Sequence, residues 1–466
     1  MRQSLTASPT TLGTAPIGRL LVQYSIPAIV ASVATSLYNI VDSIFIGRGV
    51  GAMAISGLAI TFPLMNLVVA FCMLVAAGGA AICSIFMGQK DKDKATQVLN
   101  NVLVCCLVHS VVIGGIALIW LDEILELFGA TAQTLPYARE FMRVILWGTP
   151  LSFVFIGLNF LLRATGYPSK AMMSALISVV INIIMAPLFI FHFRWGIQGA
   201  ALATLCGQLG GLIWVLSHFL SRKSFIHFGG SPRWVNISII RKIYAIGLSP
   251  FLMNICSCIV VIFINKSILD CAGALGDIGV GAFGILNRTT MFFVMVVFGV
   301  TQGMQPILGY NYGASNWPRV MQTLRKGIFI GLGITTFGWL CTELFPDALS
   351  SMFTSDKTMV DIARSAFRIY FIFYPLVGVQ IVIQNFFQSI GHPKLSIFLS
   401  LTRQLIFLLP CLWLLPPALG LDGVWASMAT SDFLAFVLAI VTMIIATRRE
   451  RKRFEQQPHS ASSYIG

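Results

Sequence analysis

The stretch 20–48, LLVQYSIPAIVASVATSLYNIVDSIFIGR, decides how the rest of the chain is read. It is apolar over more than the roughly 20 residues that cross a bilayer as a helix. It carries one proline near its start, Pro27, and one carboxylate near its far end, Asp42. With residue 20 on the inner side, Asp42 falls in the outer third of the span. A carboxylate at mid-membrane costs about 2.5–3.5 kcal/mol, and less near an interface. Asn39, Tyr38 and Thr35 lie three, four and seven residues before Asp42, so a helix is expected to gather these polar groups on one face, aimed at protein or at a water-filled cavity. The plain alternative is that Asp42 caps the helix end or reaches to the surface.

The whole chain repeats that character. Of its 466 residues 57% are hydrophobic and 10% charged, which fits no soluble domain of this length and predicts an all-α polytopic membrane protein. The apolar runs are continuous and of helical length, so they do not read as the short alternating strands of a barrel. A formal charge of +14 raises nucleic-acid binding, but the basic residues are spread between apolar spans, and topology explains them better. The polar stretch 1–19 reads as a cytoplasmic lead-in without a cleavage site. Most of the ten cysteines sit inside apolar runs and read as small hydrophobes. Only Cys271 and Cys341 have positions that leave a disulfide open.

Twelve spans are expected, near 20–46, 54–86, 98–121, 139–162, 169–191, 197–220, 243–269, 280–309, 327–345, 364–388, 394–416 and 421–446. With the amino terminus inside, 21 of the 31 Lys and Arg fall on inner segments, Arg163 among them, and seven on outer ones. Both termini are therefore expected in the cytoplasm. The outer connections are acidic, with Asp122, Glu123, Glu126, Asp347 and Asp356. Lys266, Arg288 and Arg403 remain within spans. Arg403 and Asp432 differ in depth by roughly 8 Å at the helical rise, a gap an arginine can bridge, so they are expected to pair, for packing or for coupling.

The longest basic connection, 221–242, divides an amino-terminal lobe (20–220) from a carboxy-terminal lobe (243–446), followed by a basic tail (447–466). The lobes repeat. Pro27 matches Pro250 and Asp42 matches Asn265 at an offset of 223, while Gly88 with Gly313, Pro150 with Pro375, and TGYP at 165–168 with IGHP at 390–393 match at 225. Six spans per lobe make the repeats parallel, related by a pseudo-twofold axis along the membrane normal, with a cleft between them suited to alternating access. No phosphate-binding loop is present, so any pumping would draw on an ion gradient or on another subunit.

Several segments resemble one family. NIVDSIFIGR at 39–48, LRATGYP at 162–168, GAALAT at 199–204 with Gln208, and QPILGYNYGA at 305–314 are similar to the multidrug and toxic compound extrusion (MATE) transporters of bacteria. The resemblance runs from about residue 15 to residue 447. It implies a secondary antiporter that exports organic compounds, often cationic and aromatic, in exchange for H⁺ or Na⁺, by alternating access of the two lobes. It implies a multi-pass protein of the bacterial inner membrane, working on small molecules as a monomer without a cofactor. It also makes Asp42, with Asn39, Asn182 and Thr204, the coupling site, and Pro27 the point where the first helix bends when the charge on Asp42 is switched. In the branch whose site lies in this lobe an acidic residue stands four positions after the asparagine; here that position is Ala186. Losing one negative ligand weakens a hard cation more than a proton, so H⁺ is favoured over Na⁺. Asp432, Arg403 and Asn265 are the second-lobe candidates.

For the substrate cleft the sequence offers Tyr38, Phe62, Met65, Phe155, Met291 and Met304, a mixture of aromatic and methionine side chains suited to flat apolar cations. Two other readings compete. A flippase of a lipid-linked saccharide would use a cationic cavity, for which Arg163, Arg288 and Arg403 are candidates. A membrane-embedded transferase would need converging His, Asp or Cys groups, whereas the six histidines are scattered.

Overall fold

The computed structural model describes residues 11–222, 224–231, 234–354 and 356–456. Arg2, Lys223 and Arg233 of the basic count, and parts of the expected lead-in, linker and tail, lie outside the described residues. Among the described residues all regular structure is helical. The membrane helices are α1 (Ile17–Gly49), α2 (Ala52–Gly88), α3 (Lys92–Ile119), α4 (Leu135–Trp147 and Thr149–Ala164, bent by 57°), α5 (Pro168–His192) and α6 (Gly196–Leu220). The second set is α7 (Ile237–Ala272), α8 (Gly276–Gly313), α9 (Trp317–Leu344), α10 (Lys357–Ser389), α11 (Pro393–Leu419) and α12 (Leu421–Gln456). Counting the bent pair as one span gives 12. Two six-helix lobes result.

The repeat in the sequence reappears as repeated geometry. Pro150 and Pro375 each sit at the start of a helical segment, so α4 turns at Gly148 and α10 passes through a tight turn at Phe371–Phe373 just before it. A proline has no N–H to give the preceding turn. Gly166 and Gly391 both take positive φ, 99° and 79°, which is why the TGYP and IGHP turns carry glycine there. Lys90 and Ser315, also 225 apart, share φ near 60° and 56° just beyond the ends of α2 and α8. That last pair has no sequence signature, because a non-glycine residue gives no warning of a left-handed conformation.

The lobes are fastened at the end of the molecule that carries the basic connections. α2 packs on α7 and α8, and α1 packs on α8. The contacts bring backbone onto backbone. A Cβ on Gly247 would meet the Leu74 carbonyl oxygen at 1.7 Å, one on Gly88 the Tyr310 oxygen at 2.0 Å, and one on Gly313 the Ile85 oxygen at 2.1 Å. Small residues here permit close helix approach, as the membrane demands. Hydrogen bonds add to the seam: Ser25 donates to the Val300 carbonyl (3.4 Å), Gln305 to that of Ala77 (3.1 Å) and Asn311 to that of Leu12 (3.0 Å). These contacts involve α2 from Leu74 on and α8 from Gly299 on, the basic-end halves of both helices. Towards the acidic end, Ile55 and Phe62 of α2 and Met291 and Phe292 of α8 are exposed. The interlobe cleft is shut at the basic end. Gly247→Val should open this seam; a loss of about 2 kcal/mol or more from overpacking, read as thermal unfolding in detergent, is the expected result, and an unchanged midpoint would contradict the packing.

Cys271 and Cys341 are both free thiols, so the disulfide that the sequence left open does not form.

Candidate functional site

The first lobe packs α1, the helix of Asp42, against α5. Gly49 meets Ile190 and Phe191, and Phe45 meets Phe191 edge to face at 6.3 Å. Asp42 stands about one helical turn before Phe45 on α1. It is 8% exposed, and its Oδ1 has no hydrogen-bond partner. On α5 and α6, buried Asn182 donates through Nδ2 to Thr204 Oγ1 at 3.2 Å, and Thr204 donates on to the Ala200 carbonyl. Gly207 makes this pairing possible, because α5 and α6 approach so closely that a Cβ there would meet the Ser178 carbonyl oxygen at 2.4 Å. Ala186 is fully buried and leaves Asp42 the only carboxylate on α1 and α5.

The polar groups of α1 differ in exposure. Asn39 and Thr35 are exposed while Asp42 is buried. Thr35 lies only about 20° from Asp42 about the helix axis and Asn39 about 60°. The Asn39 carbonyl accepts from Ser43 (2.9 Å), and Thr35 bonds back to the Ala31 carbonyl (2.9 Å). Tyr38 is partly buried one turn below Asp42. Pro27 is buried, and α1 continues through it as helix.

In the second lobe Arg403 Nε donates to Asp432 Oδ1 at 2.7 Å, and Asp432 is 2% exposed. The depth argument from the sequence therefore holds. What it did not anticipate is that Arg403 stands on a π-helical turn, Thr402–Phe407, a wider coil that re-aims side chains and recurs at functional sites. Asn265, the repeat partner of Asp42, likewise has a buried Oδ1 without a partner. The two lobes thus each hold an unsatisfied buried oxygen at the same position of the repeat.

Of the cleft candidates, Phe62 and Met291 are exposed and Met65 is partly buried, with Thr61 Oγ1 3.8 Å from its sulfur. Phe155 and Met304 are corrected. Phe155 packs on Gly211 inside the first lobe, and Met304, 0% exposed, packs on Gly327 inside the second. Both belong to lobe cores, where large side chains fill the space that the glycines leave.

The cavity that does lie between the lobes was missed. It has a volume of about 210 Å³ above the seam and is walled by Met73, Phe160, Met253 and Phe298. Its polar lining is almost entirely amide: Asn254 of α7, Gln302 and Gln305 of α8, and Gln384, Asn385 and Gln388 of α10. Arg163 of α4 reaches its edge, donating to Gln302 Oε1 across the lobe boundary and lying 4.4 Å from the Phe160 ring centre. A signal was present, because Gln302 with Gln305 and Gln384 with Gln388 are amides at one-turn spacing inside apolar spans. Weighing charge alone passes over them.

The chain can now be set beside known proteins. The MatE family model matches residues 27–188 and 245–414, one match in each lobe. The multidrug export protein MepA of Staphylococcus haemolyticus is 24% identical over 435 residues, 93% of this chain and 94% of the relative. MepA of Staphylococcus aureus strain MRSA252 is 22% identical over 435 residues, with 93% and 95% covered. Among solved structures, an outward-facing multidrug resistance MATE family transporter of the MOP superfamily superposes with a TM-score of 0.88 at 24% identity, over 95% of this chain and 99% of that one. A MATE structure in the bent conformation gives 0.89 at 23%, over 96% and 99%. The family match spans both lobes and the fold agrees throughout: this chain belongs to the MatE family and is a membrane transporter, not an enzyme.

Proposed function

We propose that the protein is a secondary antiporter of the bacterial inner membrane that exports aromatic organic compounds in exchange for protons. The observation that carries this reading is Asp42: a buried carboxylate with a free oxygen, on the helix that touches both lobes and packs on α5, the helix of Asn182. Such a group can take up and release a single cation, and a charge change on α1 alters its fit against α8 of the other lobe. A proton is favoured over Na⁺ because Ala186 supplies no second carboxylate. With both termini in the cytoplasm, as the basic connections argue, the closed seam is cytoplasmic and the cleft opens outward, the state in which an exporter releases its load. A monomer contains both lobes and the whole cleft.

The aromatic and methionine walls of the cavity suit flat apolar molecules. Its lining holds no carboxylate, so the preference for cations expected from the sequence has no support at this level of the cleft. The flippase reading asks for clustered cations, but Arg403 is paired with Asp432, Arg288 sits 6.0 Å from the Phe353 ring, and Arg163 bonds Gln302. The test is export of ethidium and of dansylglycine from proteoliposomes with a pH gradient or a Na⁺ gradient imposed separately. Export driven by the pH gradient alone is expected. Export of neither probe under either gradient would contradict the proposal, and Na⁺-driven export would overturn the choice of ion.

A further inference from the structure

Arg163 is a charged group at the boundary between the lobes. It stands on the last turn of α4, partly buried. Among the described residues its guanidinium makes no ion pair, and its one protein hydrogen bond is to the neutral Gln302 Oε1. The other interior arginines are provided for. Arg403 has Asp432, and Arg319 has Asn311 Oδ1 at 2.9 Å with the carbonyls of Leu12 and Ala15 at 3.1 and 2.6 Å. A guanidinium carries five N–H donors in a planar fork matched to an oxyanion, so Arg163 keeps most of its donors unspent. The two residues it touches, Phe160 and Gln302, both line the interlobe cavity.

That cavity contains amides, aromatic rings and thioethers and no acidic side chain. Amides bind neutral and anionic oxygens as readily as cations, and the only formal charge at the cavity edge is positive. An uncompensated charge away from water is expensive, and an arriving oxyanion would relieve that cost. The geometry points to Arg163 as the site that recognises a carboxylate or similar compact oxyanion on an aromatic substrate, whose ring lies against Phe160, Met73 and Met253, with the oxyanion taking the donors that Gln302 leaves unused. The substrate class is aromatic acids and zwitterions. The inference rests on the cleft being the substrate path, as in the export reading above.

The simpler role for the same contact is a fastener between α4 and α8. Binding of two matched probes separates the two. Dansylglycine and its uncharged amide, measured by equilibrium dialysis against the full chain in detergent, differ only at the oxyanion. The wild type is expected to bind the acid about tenfold more tightly than the amide, the scale of one charge-assisted hydrogen bond. Arg163→Gln should erase that difference while the amide binds as before, and Arg163→Lys should keep part of it. Gln302→Leu, which frees the guanidinium, should preserve the preference for the acid, and covers the case in which Arg163→Gln fails to fold. Equal binding of both probes by the wild type, equal weakening of both by Arg163→Gln, or loss of the preference in Gln302→Leu would each overturn the assignment. If the preference holds but no probe is exported under any gradient, the export reading fails and the oxyanion site stands.

Discussion

Asp42→Asn is expected to abolish gradient-driven export, with a fall of about a hundredfold, near the top of the range for coupled sites. The substitution keeps the shape of the side chain and removes its ability to change charge. Its effect on stability should be the opposite of its effect on transport. Asp42 is buried with an oxygen that nothing in the fold satisfies, and a buried charge without a partner burdens the folded state. Removing it should leave the thermal midpoint unchanged or raise it. A variant that loses transport and also unfolds more easily would turn Asp42 into a structural residue.

Asp432 should behave in the reverse way. Its Oδ1 takes Arg403 Nε at 2.7 Å in a buried setting, and breaking such a pair leaves one charge uncompensated at a cost of about 3–5 kcal/mol. Asp432→Asn and Arg403→Gln should therefore each lower the unfolding midpoint clearly. The double replacement Arg403→Met with Asp432→Leu should recover most of the loss, since an apolar pair of similar volume needs no partner. Thermal unfolding of the four proteins in detergent reads the comparison. If the double variant is stable and still exports, the pair is a packing device; if it is stable but export is lost, coupling extends into the second lobe. Single variants as stable as wild type would contradict the pairing itself.

Much of the architecture was legible because it rests on features that sequence displays. Continuous apolar runs give the spans, glycine and proline at fixed offsets give the repeat, and helical rise places Arg403 near Asp432. The finer site was less legible. Asn39 is exposed while Asp42 is buried, a difference that a count of polar residues ignores. Met304 and Phe155 looked like cleft residues by type, yet each fills a space opposite a glycine, Gly327 or Gly211, and only the packing shows which. The π-helical turn at Arg403 and the left-handed residues Lys90 and Ser315 carry no sequence mark. The cavity amides were visible but lacked charge, and Arg163 was read as topology or as a flippase cation because its neighbours in sequence are inner-loop residues.

The measurement that tests the central claim most directly is proton movement driven by substrate alone. Proteoliposomes without an imposed pH gradient, loaded with a pH-sensitive dye, receive an outward or inward gradient of a probe that the protein transports. Protons should move opposite to the probe in the wild type, and the Asp42→Asn protein should show no proton movement. Transport of the probe by the wild type with no counter-movement of protons would contradict proton antiport through Asp42.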